Sequence, residues 1–330
     1  MKAFINKVLM LVICTSALAI IPARAQSFQL EEKTLPVGEF SSVSVTGDFE
    51  VTLVKGEYSA KVTTYQILAP YVQVFVRSKT LYISYDEKSV PKDTRKQFKG
   101  RGAPTQVFRA VVYLPELNGI SIEDNVTLSS TDEFSGNGFT MSIDEKAQVK
   151  SLNLRATNIS VNMKKNAQAS SLNLKADNRL EVNTEGNANL KGTLDAPEMA
   201  INTSGSSQVA INGGGTTVTF NMNGSSNITA TMQEEKTVLN ISGNADLRLI
   251  GSSDSMLVNA DKSAEIEAND YAVKKVEAKM TGGAKLNANV TEQLDATLVN
   301  GASFYYTGTP AITVGKIIKS TLAPFGSTAK

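Results

Sequence analysis

The side chains best placed for chemistry are two acidic pairs, Glu123-Asp124 and Asp144-Glu145, separated by 21 residues. Stacked on one face, four carboxylates are the raw material of a Ca²⁺ site or of a general acid-base pair acting on a glycosidic bond. Brought that close they repel, unless a cation or basic side chains neutralise them. The sequence supplies the bases: Lys164-Lys165 follows at the next equivalent step, and Lys146 adjoins the second pair. The expectation is a charge-compensated, solvated turn, with no metal, cofactor or catalytic residue assigned. Asp246, Asp261 and Glu265 lie scattered farther along and form no pair with a defined partner.

Composition removes most other chemistry. The 330 residues include no His, no Trp and a single Cys, at position 14. Zinc sites built with His, Cys-His or Ser-His-Asp nucleophilic centres, and His-ligated haem all lack a necessary residue. With 33 Lys and Arg against 32 Asp and Glu, the charge balance also argues against nucleic acid, which is read through a basic face.

The elements that carry these side chains follow from an internal repeat. Asn162, Asn183, Asn202, Asn221, Asn240 and Asn259 recur at steps of 21, 19, 19, 19 and 19; the register extends back to Ser142 and Ser121 and forward to Lys279 and Thr297. Five residues after each position from Ser142 onward stands a small side chain: Ala147, Ala167, Ala188, Ser207, Ser226, Ala245, Ala264, Ala284 and Ala302. Two residues later comes a mostly larger apolar column that includes Val149, Leu190, Ile228, Leu247, Leu286 and Phe304. Inside a unit, as in Ile241-Ser242-Gly243-Asn244-Ala245-Asp246-Leu247, alternation has the period of a strand. Helical repeats need about 33 to 34 residues and propeller blades about 40 or more. A parallel β-solenoid of about 19 to 21 residues per coil is what remains; at about 4.8 Å per coil, ten coils make a core of about 50 Å. Gly186, Gly205, Gly224, Gly243 and Gly282 fall three residues after the repeat position, where a turn needs positive φ. The asparagines then read as a ladder of side-chain amides, coil on coil, in preference to a ligand row.

The ends are less regular. Lys2 and Lys7, the apolar run Val8 to Ile21 and Ala23-Arg24-Ala25 read as an export signal over residues 1–25, too short to span a membrane. Ile13 stands before Cys14 where a lipoprotein signal needs a small residue, so the expectation is a non-lipidated exported protein. Loss of that segment takes the formal net charge from +1 to −2 and leaves no cysteine. Residues 26–118 read as an N-terminal β cap, with Val43 to Leu53 patterned like a first coil. Residues 119–314 hold the repeats, and 315–330 a tail or cap in which Ile317, Ile318 and Leu322 cover the final coil. The basic stretch Asp86 to Pro104, with Lys88, Lys92, Arg95, Lys96, Lys99 and Arg101, reads as a solvated loop.

Three stretches resemble a known family: Phe40 to Gly56, Val112-Tyr113-Leu114-Pro115-Glu116-Leu117-Asn118-Gly119-Ile120, and Gly301 to Pro310. They are similar to the first strand pair, the entry into the repeats and the last repeat of the autotransporter adhesin head GIN domain. The resemblance implies an all-β, right-handed parallel β-helix and an adhesive role at the cell surface, and carries over no binding residues. Right-handedness also agrees with the usual chirality of parallel crossovers. No set of about ten-residue strands with an apolar outer face follows Val314, as a translocator barrel would need. Three functions fit: a non-enzymatic binding module for glycans or proteins at the bacterial envelope, a periplasmic structural or sensing component, and, least, a polysaccharide-active enzyme. All three are exported, surface or periplasmic, and without a transmembrane segment.

Overall fold

The computed structural model describes residues 28–326; the expected export signal and its cleavage site lie outside them. The chain is all-β, 69% strand, and coils into a parallel β-solenoid of about 11 turns. The strands are β1 (Leu30–Leu35), β2 (Ser42–Gly47), β3 (Glu50–Lys55), β4 (Ser59–Tyr65), β5 (Val72–Arg77), β6 (Thr80–Tyr85), β7 (Phe108–Leu114), β8 (Gly119–Asp124) and β9 (Thr127–Ile143). They continue as β10 (Gln148–Met163), β11 (Gln168–Thr184), β12 (Asn189–Asp195), β13 (Glu198–Thr203), β14 (Gln208–Met222), β15 (Asn227–Ile241), β16 (Asp246–Ala260), β17 (Glu265–Thr281), β18 (Lys285–Val299), β19 (Ser303–Thr307), β20 (Ala311–Ile318) and β21 (Thr321–Pro324).

From β8 onward each coil pairs in parallel with the next. The register is the one read from the spacing, for example Asn202↔Asn221, Asn221↔Asn240 and Asn240↔Asn259. Equivalent residues therefore stand directly over one another, and a side chain's direction repeats along the rod. Both apolar columns point inward: every residue from Ala147 to Ala302 and from Val149 to Phe304 in them is buried. The column two positions earlier is small because it fills the inside of the turn. Where it is serine, the hydroxyl finds a partner inside the rod: Ser207 Oγ donates to the Ser204 carbonyl of its own turn at 2.9 Å, and Ser226 Oγ accepts from Thr203 Oγ1 of the preceding coil at 2.8 Å.

The turn itself needs a left-handed residue. Gly186, Gly205, Gly224, Gly243 and Gly282 have φ of 78°, 73°, 83°, 95° and 70°. Asp124, Glu145, Lys165, Lys262 and Asn300 hold the same place in other coils at φ of 65°, 58°, 56°, 57° and 59°. The shape is thus set by the stack, with glycine where the sequence can supply it.

Residues 42–52 join the stack directly. β2 lies against β8 with Ser44↔Ser121, and β3 against β9 with Val51↔Leu128, so two pieces 77 residues apart in sequence are neighbouring coils. The intervening chain builds one more partial coil below: β6 on β2 and β7 on β3, both parallel. It then reverses. β5 closes one wall antiparallel to β6; β4 lies antiparallel to β7, and β1 antiparallel to β4. Phe28, Tyr65 and Phe98 pack ring on ring at 5.5 to 5.9 Å across this end. The basic stretch contains a short helix, α1 (Lys92–Gln97), and Lys88, Lys92, Lys96, Lys99 and Arg101 are exposed on it.

At the other end strand pairing runs through and past position 314: β20 stacks on β18 and β21 on β19, both parallel. Leu322 packs against the core, but Ile317 and Ile318 do not cover the final coil as expected. They belong to its outermost strand, and no described residue lies over them. Among the described residues no helix is long and apolar enough to cross a membrane.

Candidate functional site

The asparagine column forms an unbroken ladder. Nδ2 of Asn183, Asn202, Asn221, Asn240 and Asn259 each donates to Oδ1 of the preceding asparagine, at 3.0, 2.7, 2.7, 2.8 and 3.0 Å. It stands on the outer face, because its neighbours on either side, such as Ile201 and Thr203, point inward and are buried. An amide has two N–H donors and two acceptor lone pairs. Asn221 and Asn240 spend one of each on the ladder and present the other pair to the outside, whereas Asn183 and Asn202 also donate to Glu181 Oε1 at 3.4 Å and keep only acceptor capacity.

Two hollows run end to end along this ladder and share Asn221, giving one shallow groove. One part, about 220 Å³, extends from Asn162 to Asn221; the other, about 480 Å³, extends from Asn221 to Thr281. The ladder forms one side. The other is the column two residues on: Lys164, Glu185, Ser204, Asn223, Ser242 and Asp261. From Ser204 to Ser242 both sides are uncharged, and the charged residues Lys164, Glu185, Asp261 and Lys279 lie towards the ends. Chemically this is a row of hydroxyls and amides at strand spacing, suited to hydrogen-bonding an extended polar chain.

The acidic pairs that opened the sequence reading are differently engaged. Asp144 and Glu145 are gathered by Lys165 of the next coil, whose Nζ bonds Glu145 Oε1 and lies 3.4 Å from Asp144 Oδ1. The bond to Glu145, helped by Asp144, raises the Lys165 ammonium pKa. Asp124 Oδ2 accepts from the Gly47 amide at 3.0 Å, tying the first coil to the next, while Glu123 is exposed. Among the described residues no three carboxylates are grouped to hold a metal ion. Asp246 and Asp261 are not drawn to either pair, and Glu265 instead meets Lys285 at 2.9 Å.

One cluster has no counterpart in the sequence reading. Inside the rod, Tyr271 Oη donates to Glu234 Oε1 at 2.5 Å, Thr237 Oγ1 donates to the same oxygen at 3.1 Å, and the two hydroxyls are 2.7 Å apart. All three residues are buried, and Glu234 Oε2 has no protein partner. Burial pushes the Glu234 carboxyl up, against the two hydrogen bonds, and pushes the Tyr271 phenol up as well. Glu234 is in register with Gly215 on one side and Ser253 on the other. The nearest sequence signal is the run Gly213-Gly214-Gly215, which marks a close approach of backbones beside the cluster: a Cβ at Gly215 would run into the Ala196 carbonyl oxygen and one at Gly214 into the Gln233 carbonyl oxygen. Enclosed in the core, the cluster is an internal fixture of the fold.

The profile of the family described as "Putative auto-transporter adhesin, head GIN domain" matches residues 39–212 and 200–310. The chain belongs to this family. The whole groove of this head GIN domain, from Asn162 to Thr281, lies within the matched residues, as do the three stretches that carried the resemblance. No curated protein matches the chain. Crystal structures similar to it include a "putative adhesin" from Bacteroides fragilis, 16% identical, covering 91% of this chain and 99% of that one with a TM-score of 0.31. Another "putative adhesin", from Parabacteroides distasonis, is 17% identical and covers 91% and 98%, with a TM-score of 0.36. A "putative lipid binding protein" from Parabacteroides distasonis is 16% identical and covers 89% and 96%, with a TM-score of 0.31.

Proposed function

We propose that this head GIN domain is an exported, non-enzymatic binding module of the bacterial envelope, and that it takes an uncharged glycan lengthwise along the asparagine-ladder groove. The observation that carries this reading is the groove's continuity: amide and hydroxyl groups line it coil after coil, and at Asn221 and Asn240 an N–H and an acceptor lone pair remain beyond the ladder bonds. A polymer with hydroxyls at regular intervals meets such a row repeatedly, and weak contacts add along it. The family's adhesin description supports a binding role. The engagement of Asp144 and Glu145 by Lys165, and of Asp124 by a backbone amide, supports a structural use of those carboxylates.

The test is calorimetry of the purified chain against soluble microbial and host glycans, repeated with Asn221→Ala/Asn240→Ala. These rungs are half-buried or exposed, so the variant keeps its fold, checked by its thermal melt. Binding weakened about tenfold or more, roughly 1.4 kcal/mol, is the expected result. Glycan binding untouched by the double variant would remove the groove from the function. Protease accessibility on intact against lysed cells tests the location separately, and protection until lysis would place the module in the periplasm.

A further inference from the structure

The end of the rod formed by β20 and β21 is an open cross-section of the core. Of the seven large apolar side chains exposed among the described residues, five lie here: Ile312 (42%), Val314 (50%), Ile317, Ile318 and Phe325. Three of them continue interior columns. Ile312 stacks on Leu294, Val314 on Ala296 and Ile317 on Leu298, all buried one coil earlier. β20 also pairs on one side only, so its other edge offers a row of backbone donors and acceptors. An exposed apolar patch joined to a free strand edge is the signature of an interaction surface.

We infer that this end is a self-association surface, at which two copies of the chain meet with their β20 strands antiparallel across a two-fold axis. The register shift at Gly315, between Ala296 and Thr297 of the strand below, makes this pairing self-consistent. Ile312 and Ile317 both face inward, whereas Thr313 and Lys316, stacked on Asp295 and Thr297, both face outward. With Ile312 opposite Ile317 of the second copy, Thr313 falls opposite Lys316 and the extra residue, Gly315, sits near the axis. Inner faces inner at 312 and 317, outer faces outer at 313 and 316, and Val314 falls opposite the extra residue Gly315 of the other copy, so the bulge that would blunt the edge against an ordinary strand is accommodated by its own copy.

Two other occupants fit less well. Residues 327–330, Ser-Thr-Ala-Lys, hold no large apolar side chain to lay over the patch. The opposite end of a second rod presents Glu31 and Lys33 on the inner face of β1, over Thr64 and Val62, and would bring those charges onto exposed core. A closed two-fold pair doubles the rod and sets its second groove on the same wall. Residues 311–326 contain Lys316 and Lys319 and no acid, so like charges rim the contact and salt should tighten it by screening them.

Sedimentation equilibrium of the chain expressed without residues 1–25 tests this. The expected result is a monomer–dimer equilibrium with a dissociation constant that falls as salt is added. Ile312→Lys/Ile317→Lys should raise that constant about a hundredfold or more while leaving the far-ultraviolet spectrum unchanged. Thr313→Cys/Lys316→Cys, in a chain otherwise free of cysteine, should oxidise to a covalent dimer, and it decides the matter should the lysine variant fail to fold. A monomer at every concentration, open-ended growth to larger species, a dimer kept by the lysine variant, or no cross-link would each overturn the proposal.

Discussion

The two ends of the rod solve the same problem differently. Where β1 and β5 end it, the parallel stack is closed by strands that run the other way, by three aromatic rings and by the charged residues Glu31, Glu32 and Lys33 on the outermost strand. Where β20 ends it, the parallel stack simply stops and interior columns come out into the open. A solenoid has no intrinsic length, because every coil is a template for the next. Its termini must be specified separately, and among the described residues only the β1 and β5 end carries strands that close it. The difference teaches that an apolar residue's contribution here depends on how many coils lie over it.

The sharpest way to break this comparison is to truncate the same kind of side chain in both settings. Leu286, fully buried between Ile266 and Phe304 in the stack, should cost about 2 to 5 kcal/mol as Leu286→Ala, through lost burial and the cavity left behind. Ile317→Ala, at the open end, should cost about 1 kcal/mol or less for the single copy. Urea denaturation at low protein concentration measures both. Equal losses would mean that the end is covered within one chain. A loss at Ile317 that grows with protein concentration would mean that a second copy covers it.

Glu234 is the reverse of Ile317, a group suited to water held in the core. Its carboxyl is raised by burial above the ordinary carboxylate range, so the fold favours the protonated form. That preference supports stability fully at pH below the unfolded value and is lost as pH rises through the folded one. Wild type should therefore lose stability on going from acid towards neutral pH. Glu234→Gln keeps an acceptor for the Tyr271 and Thr237 hydroxyls, cannot ionise, and should not show that loss. Denaturation midpoints across this pH range should show the two proteins drawing together at low pH, with the variant more stable at neutral pH. Parallel profiles would mean that Glu234 is not the group responsible.

Much of the stack was legible because in-register pairing converts sequence period into position. The asparagine spacing alone set the ladder, and the columns from Ala147 and Val149 onward identified the interior. The pairing of residues 42–52 with 119–129 was only half legible: the first stretch looked like a coil, but nothing in the sequence says that the chain leaves for 77 residues and then returns to its top. The groove was not legible as a groove, since depth comes from the space between two outer columns and not from either one. The closing strands β1 and β5 lie outside the period, and the exposure of Ile317 and Ile318 depends on what fails to stack above them. Glu234 and Tyr271 are 37 residues apart and meet only because the coil brings a corner of one turn near the next but one.

The turn column shows the smallest of these effects. Its φ values were predictable at Gly243 and Gly282 but not at Lys262, which lies between them in the stack and adopts 57°. A Cβ added at Gly243 would meet the Gly224 carbonyl oxygen at 2.5 Å, so there glycine is required by space as well as by φ. At Lys262 a Cβ is already present, and what remains is the left-handed penalty of about 1 to 2 kcal/mol for a residue that has one. Lys262→Gly removes that penalty but adds the entropy of glycine in the unfolded chain, about 0.5 to 1 kcal/mol. The net gain should be about 1 kcal/mol or less, read as a small upward shift of the denaturation midpoint. A loss of stability would mean that the Lys262 side chain contributes more to the turn than its strained backbone costs, and that the stack tolerates this conformation for the sake of its side chains.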